Sequence, residues 1–484
     1  MPASNPADES APSSFLDRPR SRWIAAALLF SAVVAIGAWI VEQHPVLFFW
    51  DPYERLAYRD QLVVRRWLPG LQLLIHAVSR VTYDVEVLRY VLVITAAAAI
   101  VAAYRFGRTL GGELGALLGA LWLASNRMFL ELATMPYQEI LFLAATLAGL
   151  AWHARGERGS RRAELAGALC LNLACLTRYE GWIAVAALAL DRMWCERSDG
   201  WTRPIVRATR TFLQNGGVCM GLWLAWGTFE LSQSEASVER RMDLRYFVDM
   251  ARAYAGFLLR HGGMATLVLG ALGWLWALLE RPLVPMARRL TVFFALDVAM
   301  VLTVDPFSGS RRVFLALVIL SLFAGQGVER SARWLGRRFS RPEHRALGTT
   351  LQIAVVAGVA AVHVPLSAWA GLKDVERGAS EPSLVDAYQA GRWIAEQPAG
   401  GAGVVASTAE HVQVLALRTW TAHDVEGDAA RWSRIPEPAF VVDLGGARDE
   451  ITRYLDSLRG RASLELAFEP RGSDGPRVWR VRHE

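Results

Sequence analysis

The chain has 484 residues, of which 53% are hydrophobic and only 20% charged, and it contains 19 tryptophans. That balance excludes an ordinary soluble enzyme over most of the length, because apolar runs of bilayer-spanning length recur from residue 22 to about residue 371. The formal net charge of +6 does not point to nucleic acid; the arginines sit at the ends of apolar runs, where cationic residues meet cytoplasmic lipid and set topology.

Residues 1–21 are rich in Pro, Ser and Ala and read as a disordered cytoplasmic tail. About eleven spans follow, near 22–41, 86–105, 112–130, 138–154, 163–177, 180–194, 212–231, 263–280, 290–304, 312–328 and 348–369. The first is too long for a signal-peptide core and is read as a retained span. With the N-terminus inside, the inner connections collect arginines, such as Arg155, Arg158, Arg161 and Arg162, or Arg281, Arg288 and Arg289. The short outer connections carry one or two each. This bias predicts a multi-pass protein of the cell (inner) membrane, with a cytoplasmic N-terminus and an extracytoplasmic C-terminal domain.

Two outer segments are long, 42–85 and 232–262. Within the first, 67–79 is apolar but too short to span, and is expected to lie along the membrane surface. In the second, Leu244, Phe247, Val248, Ala251, Ala255 and Leu258 recur at helical spacing with arginines between them, which predicts a further interfacial helix. The stretch 372–484 returns to globular composition, with helices expected over 384–396 and 450–458 and strands over 403–407, 439–444 and 477–481. The fold class is therefore an α-helical polytopic membrane protein, residues 22–371, with a small soluble α/β domain over 372–484. Cys170, Cys175, Cys195 and Cys219 lie in or beside apolar segments and show neither disulfide nor zinc spacing.

Several polar residues gather on the predicted outer side. Asp51 and Glu54 flank Pro52 and Tyr53 at the start of the first loop, and three-residue spacing would put both carboxylates on one helical face. They could hold a divalent cation, Mg or Mn, or share the work of a general base. The structural alternative is a helix start, with Asp51 as cap and Glu54 in the capping-box position. The turn 176–182 joins two apolar helices so tightly that Arg178, Tyr179 and Glu180 must lie near the membrane boundary. There Arg178 either closes a helical hairpin with Glu180 or contacts a phosphate, which guanidinium geometry suits. Asp305, Arg311 and Arg312 precede a late span, and two adjacent outer arginines run against the positive-inside trend. Snorkelling explains them structurally; an anionic lipid headgroup explains them functionally. Glu139 starts the fourth span, as a partner of the helix dipole or as a further carboxylate of the site. Carboxylates for proton transfer and arginines for phosphate, from five parts of the chain, suit transfer from a lipid-phosphate substrate.

At these residues the chain resembles the GT-C superfamily of integral-membrane glycosyltransferases, and within it the bacterial relatives of protein O-mannosyltransferases and of the aminoarabinose transferase that modifies lipid A (family 39-like). The likeness covers roughly 22–330 and rests on the span count, the acidic start of the first outer loop, its surface helix and the Leu-Thr-Arg-Tyr-Glu-Gly-Trp turn at 176–182. The resemblance implies a hexosyl- or pentosyltransferase using a polyprenyl-phosphate-linked sugar, with a lipid, glycan or protein as acceptor. Asp51 matches the acidic residue that acts on the acceptor; Glu54 departs from the adjacent acidic pair of many relatives. Arg178, Arg311 and Arg312 match donor-phosphate ligands, with Tyr53, Glu139, Tyr179, Glu180 and Asp305 around the substrate. The competing readings are a transporter or lipid flippase, for which Asp297 inside a predicted span would be a relay residue, and a non-catalytic scaffold of an envelope-polysaccharide complex.

Overall fold

The computed structural model describes residues 19–47, 52, 55–56, 58–59, 68–82, 84–157, 159–196, 201–226, 244–280, 284–303, 310–339, 345–397, 403–407, 420–424, 438–443, 448–469 and 477–483. Five described helices are long and apolar enough to cross a membrane: Pro19–Gln43, Val85–Leu110, Arg245–Leu279, Phe314–Arg338 and Thr350–Ala379. Each of the eleven predicted spans falls at least in part on described helix, with 227–231 and 304 outside the described residues. The chain is a multi-pass α-helical membrane protein.

Its described residues form two compact units: Met1–Ala38, Leu92–Ala133 and Gln138–Leu372 in one, and Trp39–Val91, Thr134–Tyr137 and Lys373–Glu484 in the other. In the first, α1 (Pro19–Gln43), opened by a proline where no amide hydrogen is needed, is followed by α3 (Val85–Leu110), α2 (Pro69–Ser79) belonging to the second unit. The predicted span 112–130 is two helices, α4 (Glu113–Ala124) and α5 (Arg127–Ala133). The break is made by Asn126, whose Oδ1 accepts from the amides of Met128 at 3.0 Å and Phe129 at 3.3 Å, an N-cap inside an apolar run. Then come α6 (Gln138–Gly156), α7 (Arg161–Thr177), α8 (Tyr179–Cys195), α9 (Thr202–Phe212) and α10 (Val218–Trp226). Between α9 and α10 lies a wide π turn, Leu213–Gly217. Asn172 of α7 donates to the Gln214 carbonyl at 3.0 Å, which supplies a partner where the ordinary helical ladder is interrupted.

The long helix α11 (Leu244–Leu279) bends at Gly263, whose φ of 71° favours glycine. This hinge separates the predicted interfacial helix from the predicted span 263–280. After α12 (Val284–Thr303), a 3-10 turn Ser310–Val313 leads into α13 (Phe314–Phe339), which is buried along almost its whole membrane length. Last is α14 (Arg345–Ala379), whose residues to Leu372 belong to this unit and whose final turns from Lys373 belong to the second.

One end of this helical unit is laced by ion pairs. Asp191, near the C-terminus of α8 and buried, accepts from Arg288 Nε and from Arg289 Nε at 2.6 Å each. Arg289 also donates to Glu157 at 2.7 and 2.9 Å. Burial works to raise the Glu157 carboxyl, but the hydrogen bonds and charge of Arg289 hold it below the usual range. Nearby Glu113 takes Arg108 at 2.8 Å, Arg22 at 3.3 Å and the Tyr104 hydroxyl.

In the second unit, α2 pins the described part of the first long segment. Gln72 donates to the Tyr58 carbonyl at 2.6 Å, and the His76 ring meets the Arg59 carbonyl at 3.1 Å. Arg89, fully buried, donates to the carbonyls of Thr134 at 2.8 Å and Pro45 at 3.0 Å. The C-terminal part contributes α15 (Pro382–Glu396), α16 (Arg448–Leu458) and a five-stranded sheet of β1 (Gly403–Ser407), β2 (Trp420–Asp424), β3 (Phe440–Asp443), β4 (Ala462–Phe468) and β5 (Arg477–His483) in the order β2-β1-β3-β5-β4. The first three strands are mutually parallel, and β5 runs antiparallel to both β3 and β4. Alternation along β3 sends Phe440 and Val442 against Ala387, Ala390 and Ile394 of α15, and Val441 against Ile451, Tyr454 and Leu455 of α16. The sheet is thus covered on both faces. Strands β2 and β4 were not among the expected elements.

Candidate functional site

The α7–α8 connection is a single residue. Arg178 is at once the C-cap of α7 and the N-cap of α8, in extended conformation (φ −146°, ψ 151°), so the chain reverses with almost no loop. Two contacts hold the hairpin shut. The Trp182 indole donates to the Cys175 carbonyl at 2.9 Å, and Gly181 lets the helices touch: a Cβ there would lie 2.6 Å from the Ala174 carbonyl. Tyr179 packs edge-on against Trp182, ring centres 5.0 Å apart.

The extended conformation turns Arg178 inward, where it is buried. Its Nε donates to Glu180 Oε2 at 2.9 Å and its Nη2 to Glu180 Oε1, a two-toothed pairing along the guanidinium edge. Its Nη1 meets Glu139 Oε1, brought by the first turn of α6. Glu139 and Glu180 are buried as well. The 3-10 turn before α13 then brings Arg311, its side chain 29% exposed, to 3.7 Å from the same Glu139 oxygen. Glu139 is therefore shared between a locked arginine and a partly open one.

A third carboxylate belongs to this neighbourhood. Glu131 on α5, just past the predicted span 112–130, lies within electrostatic reach of Arg127, Arg260 and Arg311. Burial pushes its carboxyl up to about 7, against the pull of those three guanidinium groups. Nothing in the local sequence marks Glu131. The nearest signal is its position in the polar break between two apolar runs, eight residues before Glu139.

Of the residues singled out in the sequence, Glu139, Arg178, Glu180 and Arg311 come together, with Tyr179 at the edge of the hairpin. The backbone of Arg312 lies in the same turn as Arg311, but its side chain is outside the described set. Asp51, Tyr53, Glu54 and Asp305 lie outside the described residues, and so does the cation site expected at Asp51 and Glu54. Among the described residues, no group of three or more His, Cys, Asp or Glu is placed to hold a metal ion. Asp297 is buried within electrostatic reach of Tyr254, and His363 stacks on Trp122 with ring centres 3.7 Å apart.

No family model and no curated protein matches the sequence. Solved structures match its fold. ArnT from Cupriavidus metallidurans in the apo state is similar over 96% of this chain and 98% of its own, at TM-score 0.60 and 14% identity. The chain has the GT-C fold. ArnT from the same organism bound to undecaprenyl phosphate matches over 94% of this chain and 97% of its own (TM-score 0.58, 12% identity). The Archaeoglobus fulgidus oligosaccharyltransferase in the apo form matches over 95% of this chain and 74% of its own (TM-score 0.53, 11% identity). At these identities the GT-C likeness is one of fold, and the arrangement around Arg178 must be argued from its own geometry.

Proposed function

We propose that the chain is a membrane glycosyltransferase that moves a sugar from a polyprenyl-phosphate donor to a lipid, glycan or protein acceptor on the outer side of the membrane. The observation that carries this reading is the graded arginine pair: Arg178 hydrogen-bonded through all three of its nitrogens to two buried carboxylates, and Arg311 near one of them while partly exposed. A guanidinium held in place this way is preorganised for an anionic group at the membrane boundary. The undecaprenyl phosphate bound by ArnT, a protein of the same fold, supports lipid phosphate as that group.

The chemistry follows from where charge develops. As the glycosidic bond breaks, negative charge grows on the departing phosphate, and fixed cationic donors stabilise it without reorganising. In this reading Arg311 and Arg312 meet the donor phosphate. Arg178 is a positioning residue, because its own donors are engaged by Glu139 and Glu180. Asp51, with Glu54 beside it, takes the acceptor proton, while Tyr53, Tyr179 and Asp305 bound the substrate. Glu131, with its carboxyl near 7, can exchange a proton at working pH beside the arginines. A divalent cation held by Asp51 and Glu54 would supply Lewis-acid chemistry that eases loss of the acceptor proton. The arginine-rich inner connections support a cytoplasmic N-terminus and an extracytoplasmic domain over 372–484.

The test is native mass spectrometry of the full chain in mild detergent, offered a polyprenyl-phosphate sugar. Wild type and Asp51→Asn should both take up the lipid, and once an envelope-lipid extract is added as acceptor only wild type should transfer the sugar and release polyprenyl phosphate. If neither retains the lipid, the transferase reading fails.

A further inference from the structure

The segment between α8 and α10 builds a surface that the Arg178 hairpin does not use. In α9, Pro204, Ala208 and Thr211 are buried at helical spacing, and this face packs the helix on α8. Two polar contacts fix the pairing: Arg192 donates to the Thr211 hydroxyl at 3.3 Å, and Arg207 to Glu196 at 2.9 Å. Successive residues turn by about 100°, so the rest of the helix divides into two stripes. Arg203, Arg207 and Arg210 form one, and all three are exposed. Ile205, Val206 and Leu213 follow the other, with Val206 63% exposed and Leu213 48%.

The apolar stripe runs into a groove. Across the π turn Leu213–Gly217, where Gly216 is extended (φ 166°), lies an open hollow of about 580 Å³. Val206, Thr209, Leu213 and Val218 line it together with Arg210 and Gln214. Val218 is the first residue of α10, so one end of the groove continues onto an apolar helix of the membrane domain. The arginines lie toward the other end. An apolar groove that opens on a membrane helix and is bordered by exposed guanidinium groups has the polarity of a phospholipid, with hydrocarbon at one end and phosphate at the other. The sign of the headgroup follows from α9 itself, which carries three arginines and no acidic residue. Arg207 keeps its pair with Glu196 while its side chain stays 59% exposed, so that pairing leaves guanidinium surface for a headgroup. Exposed Trp201, just before α9, is a residue type that favours the headgroup level.

We propose that this flank of α9 is a binding site for one anionic phospholipid, with an acyl chain along Val206, Leu213 and Val218 and the phosphate against Arg203 and Arg210. The closed pairs of Asp191 and Glu157 with Arg288 and Arg289 are not part of it. The site does not depend on the transferase reading.

The experiment is native mass spectrometry of the full-length protein in mild detergent, titrated with phosphatidylglycerol or with phosphatidylcholine. Wild type should hold one phosphatidylglycerol in clear preference to phosphatidylcholine. Arg203→Gln/Arg210→Gln should bind it about 30-fold more weakly, taking the usual contribution of each basic residue near an anionic surface. Val206→Asn/Val218→Asn, which keeps every arginine, should weaken it about 15-fold, the scale of losing two buried methylene groups. Arg459→Gln/Arg461→Gln removes two exposed charges from the C-terminal domain and should bind as wild type does. Equal binding of the two lipids by wild type, unchanged binding in either α9 variant, or equal weakening in the control pair would overturn the proposal. Every substituted side chain is exposed except that of Val206 once lipid covers it, and the lipid preference of wild type needs no variant to fold.

Discussion

The helices α6 and α8 each have an acidic residue at or just past both ends, and the two ends use them differently. Glu180 and Asp191 lie about 16 Å apart along α8, one in each polar cluster. At the Asp191 end, two carboxylates and two arginines close on one another: Asp191 and Glu157 against Arg288 and Arg289. At the Glu180 end, Glu139 and Glu180 enclose Arg178, and a second arginine, Arg311, reaches the cluster at 3.7 Å while still partly exposed. Arg288 is as exposed as Arg311, so the difference is one of contact, and in the proposed reading it separates a staple from a site. Arginines hydrogen-bonded to their carboxylates at 2.6 Å add rigidity, and a guanidinium 3.7 Å from its carboxylate can still take a ligand.

The largest expected effect is at Arg178. Arg178→Ala leaves two buried carboxylates without their main partner, a change that typically costs about 3–5 kcal/mol, and it should lower the thermal midpoint in detergent more than any substitution at the Asp191 end. Gly181→Ala should follow, because a Cβ 2.6 Å from the Ala174 carbonyl forces the hairpin apart. Overpacking of that kind costs about 1–3 kcal/mol, and the same midpoint measurement checks it. Asp191→Asn should cost a similar or smaller amount, about 1–3 kcal/mol, since Arg288 and Arg289 are partly exposed and Arg289 keeps Glu157.

The smallest effects are pH slopes of opposite sign. Glu131 is raised from 4.5 to about 7, so its contribution to stability falls as pH climbs through that window and is flat above it. Glu157 is held below 4.5, so its contribution is present above that value and is lost as pH drops further. Glu131→Gln should remove the first slope and Glu157→Gln the second, read from thermal midpoints between pH 3 and about 8. If the two variants lost the same slope, the distinction between the ends would be wrong.

Much of the helical frame was legible because a bilayer demands long apolar runs, and even the hinge at Gly263 lay where the interfacial pattern of 244–258 gave way to a span. The break at Asn126 was not legible, since one capping side chain interrupts an otherwise continuous apolar run. Strand β2, Trp-Thr-Ala-His-Asp, lacks clean alternation, and β4 lies at the sheet edge with much of its surface exposed, so neither shows the period of a half-buried strand. In the site, Arg178 and Glu180 could be paired from their spacing across a tight turn. That Glu139 is shared with Arg311, and that Glu131 faces three arginines, depends on α5, α6, α11 and the turn before α13 meeting in space. No local pattern encodes such a meeting.

The central claim is that the Arg311 end binds a lipid phosphate and the Asp191 end does not. The direct measurement is the affinity for undecaprenyl phosphate, by native mass spectrometry, of wild type, Arg311→Gln and Arg288→Gln at matched folded fraction. The account predicts a loss of about 100-fold for Arg311→Gln, the scale of removing one charge-stabilising donor, and no change for Arg288→Gln. Equal affinity in all three proteins, or a loss confined to Arg288→Gln, would contradict it.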